Sequence, residues 1–124
     1  MKSQQNTKVN ISEIGQNIGL DKGQEFIFNS MNSGNTNNLS YIIGKEIIEK
    51  ILTQPGCVGI KLYDAINELN EKTLVFLGID AEGKEIIKYS SVNTHGEYNS
   101  QPAIIADRIK TIPFDTEEEW WILD

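Results

Sequence analysis

The chain has 124 residues, 39% of them hydrophobic and 23% charged, with one cysteine, one histidine and a formal charge of −7. This composition fits a single globular domain that needs no staple, and it excludes intrinsic disorder, an internal disulfide and a zinc site of the usual cysteine–histidine kind. The last ten residues, DTEEEWWILD, hold five acids, leaving 13 acids against 11 bases elsewhere, so no basic stripe exists to hold nucleic acid.

The opening MKSQQNTKVNISEIG lacks the apolar stretch of a signal peptide. No run reaches the roughly 18 apolar residues of a membrane helix. The expectation is a soluble, cytoplasmic protein without membrane or nucleic-acid partners.

Residues 1–8 read as a loose end. In VNISEIGQNIG, Ile11, Ile14 and Ile18 have roughly helical spacing, but Gly15 and Gly19 weaken a helix, so a short irregular or helical segment is expected. LDKGQEFIFNSMN places Leu20, Gln24, Ile27, Phe28 and Met31 on one helical face, with Asp21 and Gln24 at capping-box spacing. NSGNTNNLS, residues 32–40, is rich in turn formers and reads as a flexible exposed loop.

SYII, residues 40–43, reads as a short strand. GKEIIEKILTQ, residues 44–54, reads as a helix with Ile47, Ile48, Ile51 and Leu52 inward, ended by Pro55. Pro55-Gly56 suits a type II turn. In CVGIKLYDAI, Val58, Ile60 and Leu62 face one way and Gly59, Lys61 and Tyr63 the other. NELNEK is a hairpin-sized loop, TLVFLGI a central strand apolar on both faces, DAEG a tight turn, and KEIIKYSSV a third strand. NTHGEYNSQP reads as loop, and AIIADRIKTI, residues 103–112, equally as a short helix or a strand. No internal repeat is expected.

Few residues offer chemistry. Cys57 follows a helix C-terminus, whose negative dipole end opposes a thiolate, and it leads into an apolar strand. It reads as a small packed side chain. His95 lies in a loop, and nothing in the sequence pairs it with Cys57. DAEGKE lacks the spacing of a calcium loop, because its glycine is fourth rather than sixth and no distant glutamate follows. Asp64 is the one carboxylate on an apolar strand face, at a point where the strand is expected to have passed the core. No P-loop, dinucleotide fingerprint or nucleophile elbow is present. No catalytic residue, cofactor or metal ligand is assigned. The tail, residues 113–124, pairs acids with tryptophans, and Trp120, Trp121, Glu117, Glu118 and Glu119 are the candidate partner-binding residues; the other reading is that the tryptophans pack on the same chain or across a symmetric dimer, a self-association.

IIEKILTQPGCVGIKLYDAI followed by TLVFLGIDAEGKEI resembles a family of short bacterial proteins without an assigned activity. In these a short helix ends in a Gln-Pro-Gly-Cys-Val turn, then a strand, then a second strand closing on Gly, a small apolar residue, Asp and a glycine turn. GLDKGQEFIFNSM resembles their upstream helix, so the likeness spans roughly residues 18–87, and QPGCVGI is its most specific phrase. Members often finish in a Cys-Pro-rich tail, which this sequence lacks. The resemblance implies no catalytic residue.

The expected fold is α+β: an N-terminal helix and a strand–helix unit packed on an antiparallel β-meander, in a single domain. The expected role is a small protein-interaction or regulatory module, including immunity-type masking of a basic partner. The alternative is a hydrolase or transferase using Cys57 with His95, or a carboxylate pair.

Overall fold

The structure is a computed structural model that describes residues 9–34 and 38–114. The expected loose terminus 1–8, residues 35–37 of the expected loop, and residues 115–124 with Glu117, Glu118, Glu119, Trp120 and Trp121 lie outside the described residues. In chain order the elements are a 3-10 turn at Ile11–Glu13, helix α1 (Gly19–Met31), strand β1 (Leu39–Ile42), helix α2 (Lys45–Leu52), and strands β2 (Gly59–Ile66), β3 (Lys72–Ile79), β4 (Lys88–Val92), β5 (Tyr98–Pro102), β6 (Ile105–Ala106) and β7 (Lys110–Pro113). All strand pairs are antiparallel, and the fold is α+β. The chain divides into two units, one built on Ile43–Arg108 with the segment up to Ile14, the other on Gly15–Ile42 with the segment from Ile109.

In the second unit, β1 pairs with β7 from Leu39–Pro113 to Ile42–Lys110, and the Ser40 hydroxyl donates to the Ile112 carbonyl at 2.9 Å. Leu39, expected in the loop, therefore opens the strand expected at 40–43, which ends at Ile42, and Pro113, expected to open the tail, closes its partner. Helix α1 starts at Gly19, with φ +82°. Asp21 lies inside its first turn, and Asn17 supplies the acceptor for the Gly19 amide at 3.0 Å. The capping role expected at Asp21 thus falls four residues earlier, on the other side of the glycine that redirects the chain.

The first unit is built around the end of α2. Ile51 on α2 and Phe76 on β3 are fully buried, at 0% exposure. Ile47 and Ile48 are half-buried, while Leu52, expected inward, is exposed. After α2 the Cys57 amide donates to the Gln54 carbonyl at 3.1 Å and Gly56 has φ +78°, the conformation that the Pro55-Gly56 turn demands. The Val58 amide then donates to Ile79, and β2 pairs with β3 over eight residues, from Gly59–Ile79 to Ile66–Lys72.

Three hairpin turns share one construction. Asn67, Asp80 and Asn93 stand thirteen residues apart (67, 80, 93). Each side-chain Oδ1 accepts two backbone amides, those of Leu69 and Glu71, Glu82 and Lys84, and His95 and Glu97, at 2.9–3.0 Å. The fourth residue of each turn has positive φ: Asn70 at 63°, Gly83 at 87° and Gly96 at 80°. Asparagine and aspartate mimic a backbone turn, and glycine or asparagine tolerates the left-handed conformation. The repeat that composition does not reveal is thus a repeat of turns. It also corrects the loop expected at residues 93–102: Asn93–Glu97 is a turn, and Tyr98–Pro102 is β5, paired with β4 from Val92–Tyr98 to Lys88–Pro102.

The third strand of the meander departs from expectation as well. Glu85 bridges Ile79 and the Ile86 amide donates to Gly78, but the Ile87 carbonyl then accepts from Ala103, and β4 leaves the sheet. The place beside β3 goes to β6, with Ile105 opposite Leu77 and Ala106 opposite Phe76, giving the order β2-β3-β6. The segment 103–112 is accordingly two strands, β6 and the start of β7, and not a helix.

A Cβ placed on Gly78 would lie 2.7 Å from Cys57 Sγ and 3.3 Å from both Gln54 Nε2 and Ile51 Cγ2. Gly78→Ala should destabilise the chain by about 1–3 kcal/mol in urea unfolding, as overpacking does. Adding Cys57→Ala removes the closest of these atoms and should restore part of the loss. Strict additivity of the two substitutions would show that they do not touch.

Candidate functional site

Cys57 is seated by its surroundings. It lies half-buried against the open Cα of Gly78, and its Sγ donates to the Gly59 carbonyl at 3.3 Å. Beside it the buried Gln54 side chain uses both ends. Its Nε2 donates to the Ile51 carbonyl at 3.1 Å, which also accepts the Gln54 amide at 3.2 Å, and its Oε1 accepts the Ile104 amide at 2.8 Å. Sequence reasoning passed over Gln54. The signal available was a polar residue placed directly before the Pro-Gly turn and after the inward-facing Ile51.

His95 is exposed on the turn between β4 and β5, where its amide is held by Asn93. No hydrogen bond joins it to Cys57. Asp80 commits its side chain to backbone amides, as a turn residue does. Asp64 is exposed, on the face of β2 shared with Ile60 and Leu62, and Leu62 is itself 50% exposed, so the strand has passed the core by that point. Among the described residues no group of three or more His, Cys, Asp or Glu side chains could hold a metal ion.

One polar cluster does form. Lys61 and Tyr63 alternate onto the face of β2 opposite Asp64, and Glu85 rises on the far side of β3 on that same face. The Lys61 ammonium donates to Glu85 Oε2 at 3.1 Å, the Tyr63 hydroxyl donates to the same oxygen, and the Lys61 Nζ stands 5.2 Å from the Tyr63 ring centroid. The bonds cross β3 over the row of Leu77, which is buried. Ile11, from the 3-10 turn, lies against Gly59 and Gly83 on this side. Long amphipathic side chains thereby roof an apolar strand while their polar ends meet above it.

The Tyr63 hydroxyl, with backbone donation and the Lys61 ammonium, holds the Glu85 carboxyl down at about 2. Hydrogen bonds to Tyr63, foremost, and to Glu85 raise Lys61 in turn. A carboxylate so firmly ionised is a poor proton donor or acceptor near neutrality. The cluster is a brace across the sheet, and Asp64 on the opposite face does not join it as a carboxylate pair. A second ion pair links the Arg108 guanidinium to both oxygens of Glu68, at 2.8 and 3.3 Å, and fastens the chain after β6 to the β2–β3 turn. It holds Glu68 below the usual carboxylate range, chiefly through the Arg108 hydrogen bond.

The remaining feature is the hairpin of β4 and β5. Neither strand pairs with a third strand among the described residues. Near its tip the cross-strand pair Val92–Tyr98 is 59% and 80% exposed. No family model matches this chain, and no curated protein or solved structure matches it either. Among the described residues no helix is long and apolar enough to cross a membrane.

Because Glu85 has a folded pKa of about 2 against the ordinary 4.5, its contribution to stability is present above about pH 4.5 and is lost as pH falls toward 2. Glu85→Gln should flatten that part of the acid limb, read as urea midpoints at stepped pH. An acid limb identical to that of the parent would show that the three-way bond does not form in solution.

Proposed function

We propose that this chain is a small protein-interaction module whose contact element is the β4–β5 hairpin. The observation that carries this reading is the exposed Val92–Tyr98 pair near the tip of a two-stranded arm. A hairpin alone is marginal in water and gains most from being covered, and tyrosine is enriched where proteins meet. The residues with the most chemical promise, Cys57 and Glu85, are instead engaged in packing and bracing.

The formal charge of −7 supports a basic partner, and with it an immunity-type masking role. Glu117, Glu118, Glu119, Trp120 and Trp121 are proposed as a second contact, on their residue types alone. The single cysteine fits a cytoplasmic, reducing setting. On the likeness of its QPGCVGI phrase, the proposed kin are short bacterial proteins of unassigned activity.

Affinity purification from the native host with three baits tests the reading: the parent chain, Val92→Thr/Tyr98→Ser, and a chain lacking residues 115–124. The hairpin variant should melt with the parent and lose at least tenfold of a specific protein partner. Full retention of that partner removes the hairpin from the interface. Retention by the truncated chain removes the tail. A partner of acidic character refutes the masking role.

A further inference from the structure

Strand β3 is paired along its whole length by β2 on one side and only in part on the other. On that other side Glu85 and Ile86 meet Ile79 and Gly78, and the two residues of β6 meet Leu77 and Phe76. The turn Asp80–Lys84 sets a register for the strand that leaves it. Its counterpart at Asn67–Glu71 zips β2 onto β3 over eight pairs. Carried on in the same way, the strand after Lys84 would set Ile87 opposite Leu77, Lys88 opposite Phe76 and Tyr89 opposite Val75. Ile105 and Ala106 hold the first two of those places.

Two side chains explain the outcome. Phe76 and Gly78 face α2, and in the continued register Lys88 would join them, setting an ammonium beside a fully buried phenyl ring. Burying an unpaired charge is strongly unfavourable, whereas Ala106 is small and apolar. Gln54 adds a positive preference. Its buried amide oxygen takes the Ile104 amide and fixes the backbone immediately ahead of β6. After β6, Glu68 grips Arg108.

We propose that β6 and the strand Ile87–Val92 are alternative occupants of one edge of β3, and that Gln54 and Lys88 set which is seated. The exchange leaves the β4–β5 hairpin whole, because its register from Lys88–Pro102 to Val92–Tyr98 is untouched. The arm turns about Ile86–Ile87 and lies down as the outer half of a four-stranded sheet ordered β2-β3-β4-β5, while Ala103–Arg108 comes away. No turn is rebuilt. Two discrete strand pairings of one chain form a bistable element of the kind that switches use. A ligand that favours one position of the arm shifts the population between them.

Nuclear magnetic resonance of the full chain separates the two pairings. Ile87 and Leu77 would form a non-hydrogen-bonded pair, with Cα atoms about 4.5 Å apart and a strong cross-strand contact. The parent should show Leu77–Ile105 contacts. Lys88→Val removes the charge from an exposed position, and Gln54→Leu removes the latch. Each should lose the Leu77–Ile105 contact and gain Leu77–Ile87, with Val92–Tyr98 contacts kept. Retention of β6 in Lys88→Val overturns the proposal, as does loss of β6 without the new contact. Should Gln54→Leu fail to fold, Lys88→Val decides alone.

Discussion

Everything in the larger unit depends on how closely the end of α2 approaches β3. That approach is possible because residue 78 has no side chain. The thiol of Cys57, the amide of Gln54 and a methyl group of Ile51 occupy the space a Cβ would need. Ile51 closes over the face where Phe76 is buried, the Pro-Gly turn redirects the chain into β2, and Gln54 is left within reach of Ile104. One glycine thus brings together a helix end, two strands and a segment fifty residues further along. The cysteine's role comes from the same fact: it is small enough and apolar enough to lie against bare backbone.

The two faces of the β2–β3 pair are closed by different means. On one side a helix supplies aliphatic side chains to Phe76. On the other, Ile11 reaches in at one end, and Lys61, Tyr63 and Glu85 span the middle with their polar ends joined. These side chains lie over the row of Leu77, which is buried. The carboxylate that completes the span is the residue immediately after the Asp80–Lys84 turn, so hairpin geometry delivers it to its partners.

Much of this was legible in the sequence where the signal is local. The 3.6-residue period of Ile47, Ile48 and Ile51, the Pro55-Gly56 turn, and the alternation through β2 each fix one element from neighbouring residues alone. Helix α2 and strands β2 and β3 appear close to where those patterns place them. What could not be read there is non-local. Strand β5 is written in Asn, Ser, Gln and Pro, residues that look like loop until a partner strand is known. The two residues of β6 are too few to show a period, and their place depends on excluding Lys88 from the core face. The importance of Gln54 rests on an amide at Ile104, and that of Gly78 on a sulfur across the fold. Cys57 drew attention as a chemical oddity, and its meaning lay in the glycine opposite.

The even spacing of the Asx turns constrains how a chain of this kind can be lengthened. Gly59 and Glu85 are two spacings apart, and both flank Ile79 in the sheet. Equivalent positions two modules apart therefore run in the same direction and show their side chains to the same face. A gene that copied one such module in tandem would reverse the chain and misdirect every strand beyond the copy. A gene that copied two would lengthen the sheet and leave every inherited face unchanged.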